Sequence, residues 1–114
     1  MIREVIYFHK NNNDPSDGEI LKVPRNTQVN CNITVDVSPK SVSGIQVAFE
    51  GLAMPYEDAE YWFPISLFCA EDATLSVVAQ KSGIYQGDLS GIEKFRCRLI
   101  AANAPINVVG KVVT

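Results

Sequence analysis

Few side chains in this sequence carry the chemistry of a catalyst or a metal site. They are the single His9, the three cysteines Cys31, Cys69 and Cys97, and two groups of carboxylates, Glu57, Asp58, Glu60 and Glu71, Asp72. A nucleophile needs a base held beside it, yet His9 stands at the edge of a polar run and no serine or cysteine is paired with it by a local signature. His9 therefore reads as a solvated histidine at a strand end. Structural zinc takes ligands paired about two to four residues apart, whereas every cysteine here is isolated. Asn13-Asp14-Pro15-Ser16-Asp17-Gly18 has the look of the start of a calcium loop, but Pro15 offers no side-chain oxygen and Pro24 cannot supply the closing carboxylate. The two carboxylate groups read as solvated loops rather than as a working acid and base. Asn32-Ile33-Thr34 matches a glycosylation sequon but falls inside a strand pattern, and no Gly-rich phosphate cradle is present. The sequence predicts no catalytic residue, no metal, no cofactor and no enzyme.

The elements that would position these residues are strands. Val29, Cys31, Ile33, Val35 and Val37 alternate with Asn30, Asn32, Thr34 and Asp36. Side chains alternate across a strand, so this period of two gives one buried and one wet face. Ile45, Val47 and Phe49 against Gln46 and Glu50 repeat the pattern, as do Phe95, Cys97 and Leu99 against Lys94, Arg96 and Arg98. In this phase Cys31, Cys97, Phe49, Phe95 and Leu99 belong to the core, and the thiols are expected to be reduced. Weaker strand signals cover residues 3–8, 19–23, 61–68, 74–80, 83–89 and 106–113. Turn-forming runs separate them, among them residues 11–18 and Asn103-Ala104-Pro105. No stretch has the period of an amphipathic helix. About eight strands at short spacing predict an all-β fold, an antiparallel two-sheet β-sandwich of jelly-roll or Ig-like type. Residues 1–26 read as an N-terminal strand or arm with its polar loop, and residues 27–114 as the sandwich.

Composition narrows the partners. The 114 residues are 46% hydrophobic and 20% charged, which suits one folded domain. Thirteen acidic against ten basic residues, without a basic stripe, argue against nucleic acid. No segment is long and apolar enough for a membrane helix, and Met1-Ile2-Arg3-Glu4 does not open like a signal peptide. The expectation is a soluble protein made in a cytoplasm, with neither nucleic acid nor membrane as partner.

Three groups are left as candidates for an interface. Ile2, Ile6 and Phe8 occupy one face of the first strand and Val5 and Tyr7 the other, so both faces need cover, either from a neighbouring subunit or from the protein's own sheet edge. Met54, Pro55 and Tyr56 lead to Tyr61-Trp62-Phe63-Pro64, where Trp62 or Phe63 is expected in the core and the loop at residues 52–61 at an interface. Arg96 and Arg98 are expected to point outward together and to pair with acids on an adjacent strand or a partner. A carbohydrate-recognition module is the competing reading, with Tyr56, Tyr61 or Trp62 as a stacking platform beside Glu57 and Asp58.

Two segments carry a resemblance. Val47-Ala48-Phe49-Glu50-Gly51 leads through a loop to Trp62-Phe63-Pro64-Ile65. Gly83-Ile84-Tyr85 runs through Ser90-Gly91 to Phe95-Arg96-Cys97-Arg98-Leu99 and a closing Val108-Val109-Gly110-Lys111-Val112-Val113 strand. Over residues 27–114 this order resembles small β-sandwich virion proteins of tailed bacteriophages, including head decoration (cement) proteins and domains attached to tails and fibres. The resemblance implies a structural protein of the virion, assembled in the host bacterial cytoplasm. It also implies a homo-oligomer whose partners are the major capsid protein or other virion proteins.

Overall fold

A computed structural model of the chain describes residues 3–23, 29–37, 44–53 and 61–113. Every regular element among them is a strand: β1 (Arg3–Asn12), β2 (Ile20–Lys22), β3 (Asn30–Val37), β4 (Gln46–Leu52), β5 (Trp62–Pro64), β6 (Leu67–Cys69), β7 (Thr74–Ser76), β8 (Val78–Ala79), β9 (Gly83–Asp88), β10 (Lys94–Ala101) and β11 (Ile106–Val113). One sheet has the order β1-β11-β3-β9-β6-β7 and the other β2-β10-β4-β5, with β8 also pairing with β4. All these pairs are antiparallel. The fold is a β-sandwich, as the alternation predicts.

The alternating positions form the core. Cys31, Ile33 and Val35 of β3, Phe49 of β4, Phe95, Cys97 and Leu99 of β10, and Ile106, Val108 and Val112 of β11 all point between the sheets. Phe8 meets Phe95 edge to face across the sandwich, ring centroids 5.7 Å apart, and Phe49 lies against Tyr85 at 5.2 Å. Such arrangements set the negative face of one ring near the positive edge of the other.

Among the described residues, eleven strands replace the expected eight or nine because two of the anticipated runs change sheets. Residues 61–68 divide into β5, which pairs with β4, and β6, which pairs with β9. The break falls at Ile65 and Ser66, where the Ile65 N–H donates to the Phe49 carbonyl at 2.8 Å. Residues 74–80 likewise divide into β7 and β8 at Val77, whose carbonyl accepts from the Phe49 N–H at 3.0 Å. A strand that crosses from one sheet to the other makes a corner of the sandwich and cannot keep a single period of two across the bend.

The N-terminal segment, for which the sequence leaves open a neighbouring subunit or the protein's own sheet edge, pairs within its own chain. β1 lies along β11, from Arg3 opposite Val113 to Asn12 opposite Ile106, and β2 lies along β10. The strand thus covers an edge of its own sandwich, which is one of the two arrangements the sequence leaves open.

Candidate contact surfaces

His9 is buried at 4% exposure, so the solvated histidine of the sequence reading is overturned. The cause is a slip in register: Tyr7 faces Val109 but His9 faces Val108, which leaves Phe8 as an extra residue. A bulge of this kind re-aims side chains, and here Phe8 and His9 both turn inward. The polar atoms of the ring are satisfied. The Asp14 N–H donates to Asn12 Oδ1 at 3.0 Å, which turns the Asn12 Nδ2 toward His9 Nδ1 at 3.1 Å. Nδ1 must then accept, leaving Nε2–H to donate to the Cys97 carbonyl at 2.6 Å. His9 thereby ties β1 and the polar run after it to β10. Both ring nitrogens are thus taken up by structural hydrogen bonds.

Arg96 and Arg98 do share the outer face of β10, and their acid is Glu50 on the adjacent β4. Glu50 is the register partner of Arg96. Its Oε1 accepts from Arg96 Nε at 2.9 Å and from Arg98 Nε at 3.0 Å, while Oε2 accepts from Arg98 Nη2 at 3.1 Å. Burial alone would push this carboxyl up, but the hydrogen bonds and charges of Arg98 and Arg96 outweigh it and hold Glu50 below its ordinary value. Glu50 in return holds the Arg98 guanidinium more firmly charged. Arg96 also reaches Asp17 at 3.4 Å and lies over the Trp62 ring at 4.0 Å. A cation over the indole face is attracted by the ring quadrupole.

Trp62 is thus half-buried beneath an arginine and not in the core, and Phe63 is 54% exposed, so the core expectation for these two aromatics is corrected. β5 is the edge strand beside β4 in its sheet, and none of its three residues is fully buried. Tyr61 is 61% exposed. Met54, Pro55 and Tyr56, with Glu57, Asp58 and Glu60, lie outside the described residues, as does Ile2.

Val5 and Tyr7, at 58% and 53% exposure, project from the outer face of β1, as the alternation predicts. The strand register sets Tyr7 beside Val109, Val109 beside Thr34 and Thr34 beside Ile84, so a row of three large side chains interrupted by one threonine crosses the sheet. The three cysteines are free and buried. Burial pushes the Cys31 thiol up to about 12 and the Cys97 thiol well above its usual value. Asp72 is joined to Lys81 at 2.8 Å and accepts from Thr74 at 2.7 Å, and its carboxyl is held low by these partners. Among the described residues, no three His, Cys, Asp or Glu side chains gather where a metal ion would sit.

No protein-family model matches the sequence, and no curated protein matches it. Among solved structures, the SPBc2 prophage-derived protein YomS superposes with a TM-score of 0.83 at 17% identity, over 99% of this chain and 94% of YomS. The fold is shared with YomS. The PBSX exported protein XepA gives a TM-score of 0.82 at 20% identity over 98% of this chain. The chain spans only 38% of XepA, so XepA holds this sandwich as one part of a longer protein. Likeness to YomS runs nearly end to end, including β1 and β2.

Proposed function

We propose that this chain is a phage-encoded structural protein that works by binding, as a component of the virion that decorates and stabilises the head. The observation that carries the reading is the near-complete overlap with a prophage-derived sandwich of the same extent. Its surface chemistry supports the same reading. Exposed Val5, Tyr7, Tyr61 and Phe63 are apolar or amphipathic groups of the kind that interfaces cover. The buried groups that resemble reactive ones, His9 and the thiols, are consumed by packing and hydrogen bonds.

The test is mass spectrometry of purified particles from the encoding phage, followed by adding the recombinant protein to particles that lack it. The expected result is a stoichiometric virion component whose return raises the temperature at which heads release their DNA. Absence from particles and no binding on addition would overturn the reading. XepA is described as an exported protein, and this favours a second reading, a carbohydrate-binding or adaptor module of a tail or fibre. Separating particles into heads and tails before mass spectrometry decides between the two.

A further inference from the structure

The middle of the six-stranded sheet is built from residues that strands ordinarily avoid. β3 lies between β11 and β9, and its outward positions are Asn30, Asn32, Thr34 and Asp36, of which only Thr34 is a residue that strands favour. Across from them β9 sets Asp88 opposite Asn30 and Gln86 opposite Asn32. Asn, Asp and Gly are depleted in strands, and a central strand is where β-branched residues would fit best. Asp88 accepts from the Ser90 N–H at 2.9 Å and from its hydroxyl at 2.7 Å, but no contact within the fold explains Asn30, Asn32 and Gln86, whose amides have no partner among the described residues. A local preference broken without structural gain is where a functional surface is expected.

The face also has shape. Cys31 pairs with Gly87, and both turn away from this surface, so backbone forms the floor between the two polar rows. The result is an open depression of about 340 Å³ lined by Asn30, Cys31, Asn32, Gln86, Gly87 and Asp88. On one side stands Phe68, the register partner of Gln86, with its ring 41% exposed. On the other stands Lys111, the register partner of Asn32. One cation and one carboxylate flank the site, so it has no net charge to favour a phosphate or a polyanion.

We propose that this β3–β9 face binds a neutral oligosaccharide. Each carboxamide offers donors and an acceptor from one planar group, which is what neighbouring hydroxyls of a pyranose require. Asn32 and Gln86, opposite each other, bridge such a pair, and the Phe68 ring takes the apolar C–H face of the same or the next sugar. The proposal is independent of whether the chain sits on a head or a tail, and it uses different residues from the Tyr61 and Trp62 platform.

The test follows side-chain amide signals of nitrogen-labelled full-length protein by NMR while chitohexaose, maltohexaose and xylohexaose are added separately, up to about 10 mM, the range of weak millimolar binding. Saturable shifts of the Asn30, Asn32 and Gln86 amides with at least one of these sugars are expected. Asn32→Thr and Gln86→Thr keep or improve strand preference, so they should fold with an unchanged or higher melting temperature and bind about tenfold more weakly, the loss of one good hydrogen bond. No shift with any of the three, shifts confined to Tyr61, Trp62 and Phe63, or full binding by both variants would each overturn the proposal. So would loss of particle binding by the two variants without any sugar response, which would make the face a protein interface.

Discussion

At the scale of single residues, the molecule is held at two polar points, and both can be tested. Glu50 answers two arginines with one carboxylate, and its side chain is only 13% exposed. Glu50→Gln keeps the shape and removes the charge. It is expected to cost about 1 to 3 kcal/mol in urea unfolding near neutral pH, because the largely covered Arg96 loses the nearer of its two carboxylates and keeps only the more exposed Asp17. The pH dependence has a definite sign. A carboxyl held below its ordinary value of 4.5 contributes stability that is complete above that value and is lost as pH falls through its lower folded value. The wild type should therefore lose more stability than Glu50→Gln as acid is added below about pH 4.5, and the two should converge. Equal slopes in that window would show that the arginines do not hold the carboxylate. His9 is the second point. His9→Ala removes a buried ring and leaves the Cys97 carbonyl without its donor, an expected loss of about 2 to 4 kcal/mol. Asn12→Ala should cost less, and the double variant should fall short of the sum by more than about 0.5 kcal/mol, since the two side chains share one hydrogen bond. Simple additivity would mean that Asn12 does not orient the ring.

At the scale of elements, the outcome turns on where the chain keeps a period of two and where it leaves it. β3 and β10 were legible because each alternates over its whole length in the middle of a sheet. The same alternation placed Arg96 and Arg98 on one outer face, with an acid on the adjacent strand. His9 was misread because one extra residue in β1 reverses the phase, and a bulge leaves no mark in hydrophobic periodicity. Trp62 was misread because β5 is a three-residue strand beside a corner, too short for any period to show. The polar face of β3 and β9 was hidden for a different reason, since only the register brings Asn32 and Gln86 together. The polar run after β1 is not loose either. Ser16 exchanges backbone hydrogen bonds with Leu99 at 3.1 and 2.9 Å, and Gly18 turns at a φ of +71°. A Cβ at Gly18 would lie 2.5 Å from the Phe8 carbonyl oxygen and 2.7 Å from His9 Nε2. Gly18→Ala combines a left-handed backbone with a clash on main chain, and should destabilise by more than about 2 kcal/mol in thermal or urea unfolding. A change below about 0.5 kcal/mol, ordinary for a surface site, would show that the run is not pinned to β1.

At the scale of the whole molecule, the question is whether β1 is an appendage or part of the cooperative unit, and the buried thiols supply the readout. β1 contributes Phe8 and His9 to the same interior that holds Cys31 and Cys97, and Phe8 packs directly on Phe95 of the opposite sheet. Removing residues 1–10 would take away that ring, unsatisfy the Cys97 carbonyl and bare the edge of β11 along most of its length. A loss of this size, about 3 to 5 kcal/mol for the Phe8 ring alone, is comparable with the total stability of a small domain. The truncated chain is therefore expected not to fold as a monomer. Thiol labelling at mildly alkaline pH distinguishes the cases. In the intact protein Cys31 and Cys97 should be silent to an aromatic disulfide reagent, because burial both blocks access and keeps the thiolate scarce, with Cys31 pushed up to about 12. In the truncated chain both should react at the rate of the urea-unfolded protein. If instead the truncated chain keeps both thiols protected and still unfolds in one cooperative transition, then β1 adds nothing to the core that the other strands cannot supply, and the strand is free to serve a neighbour.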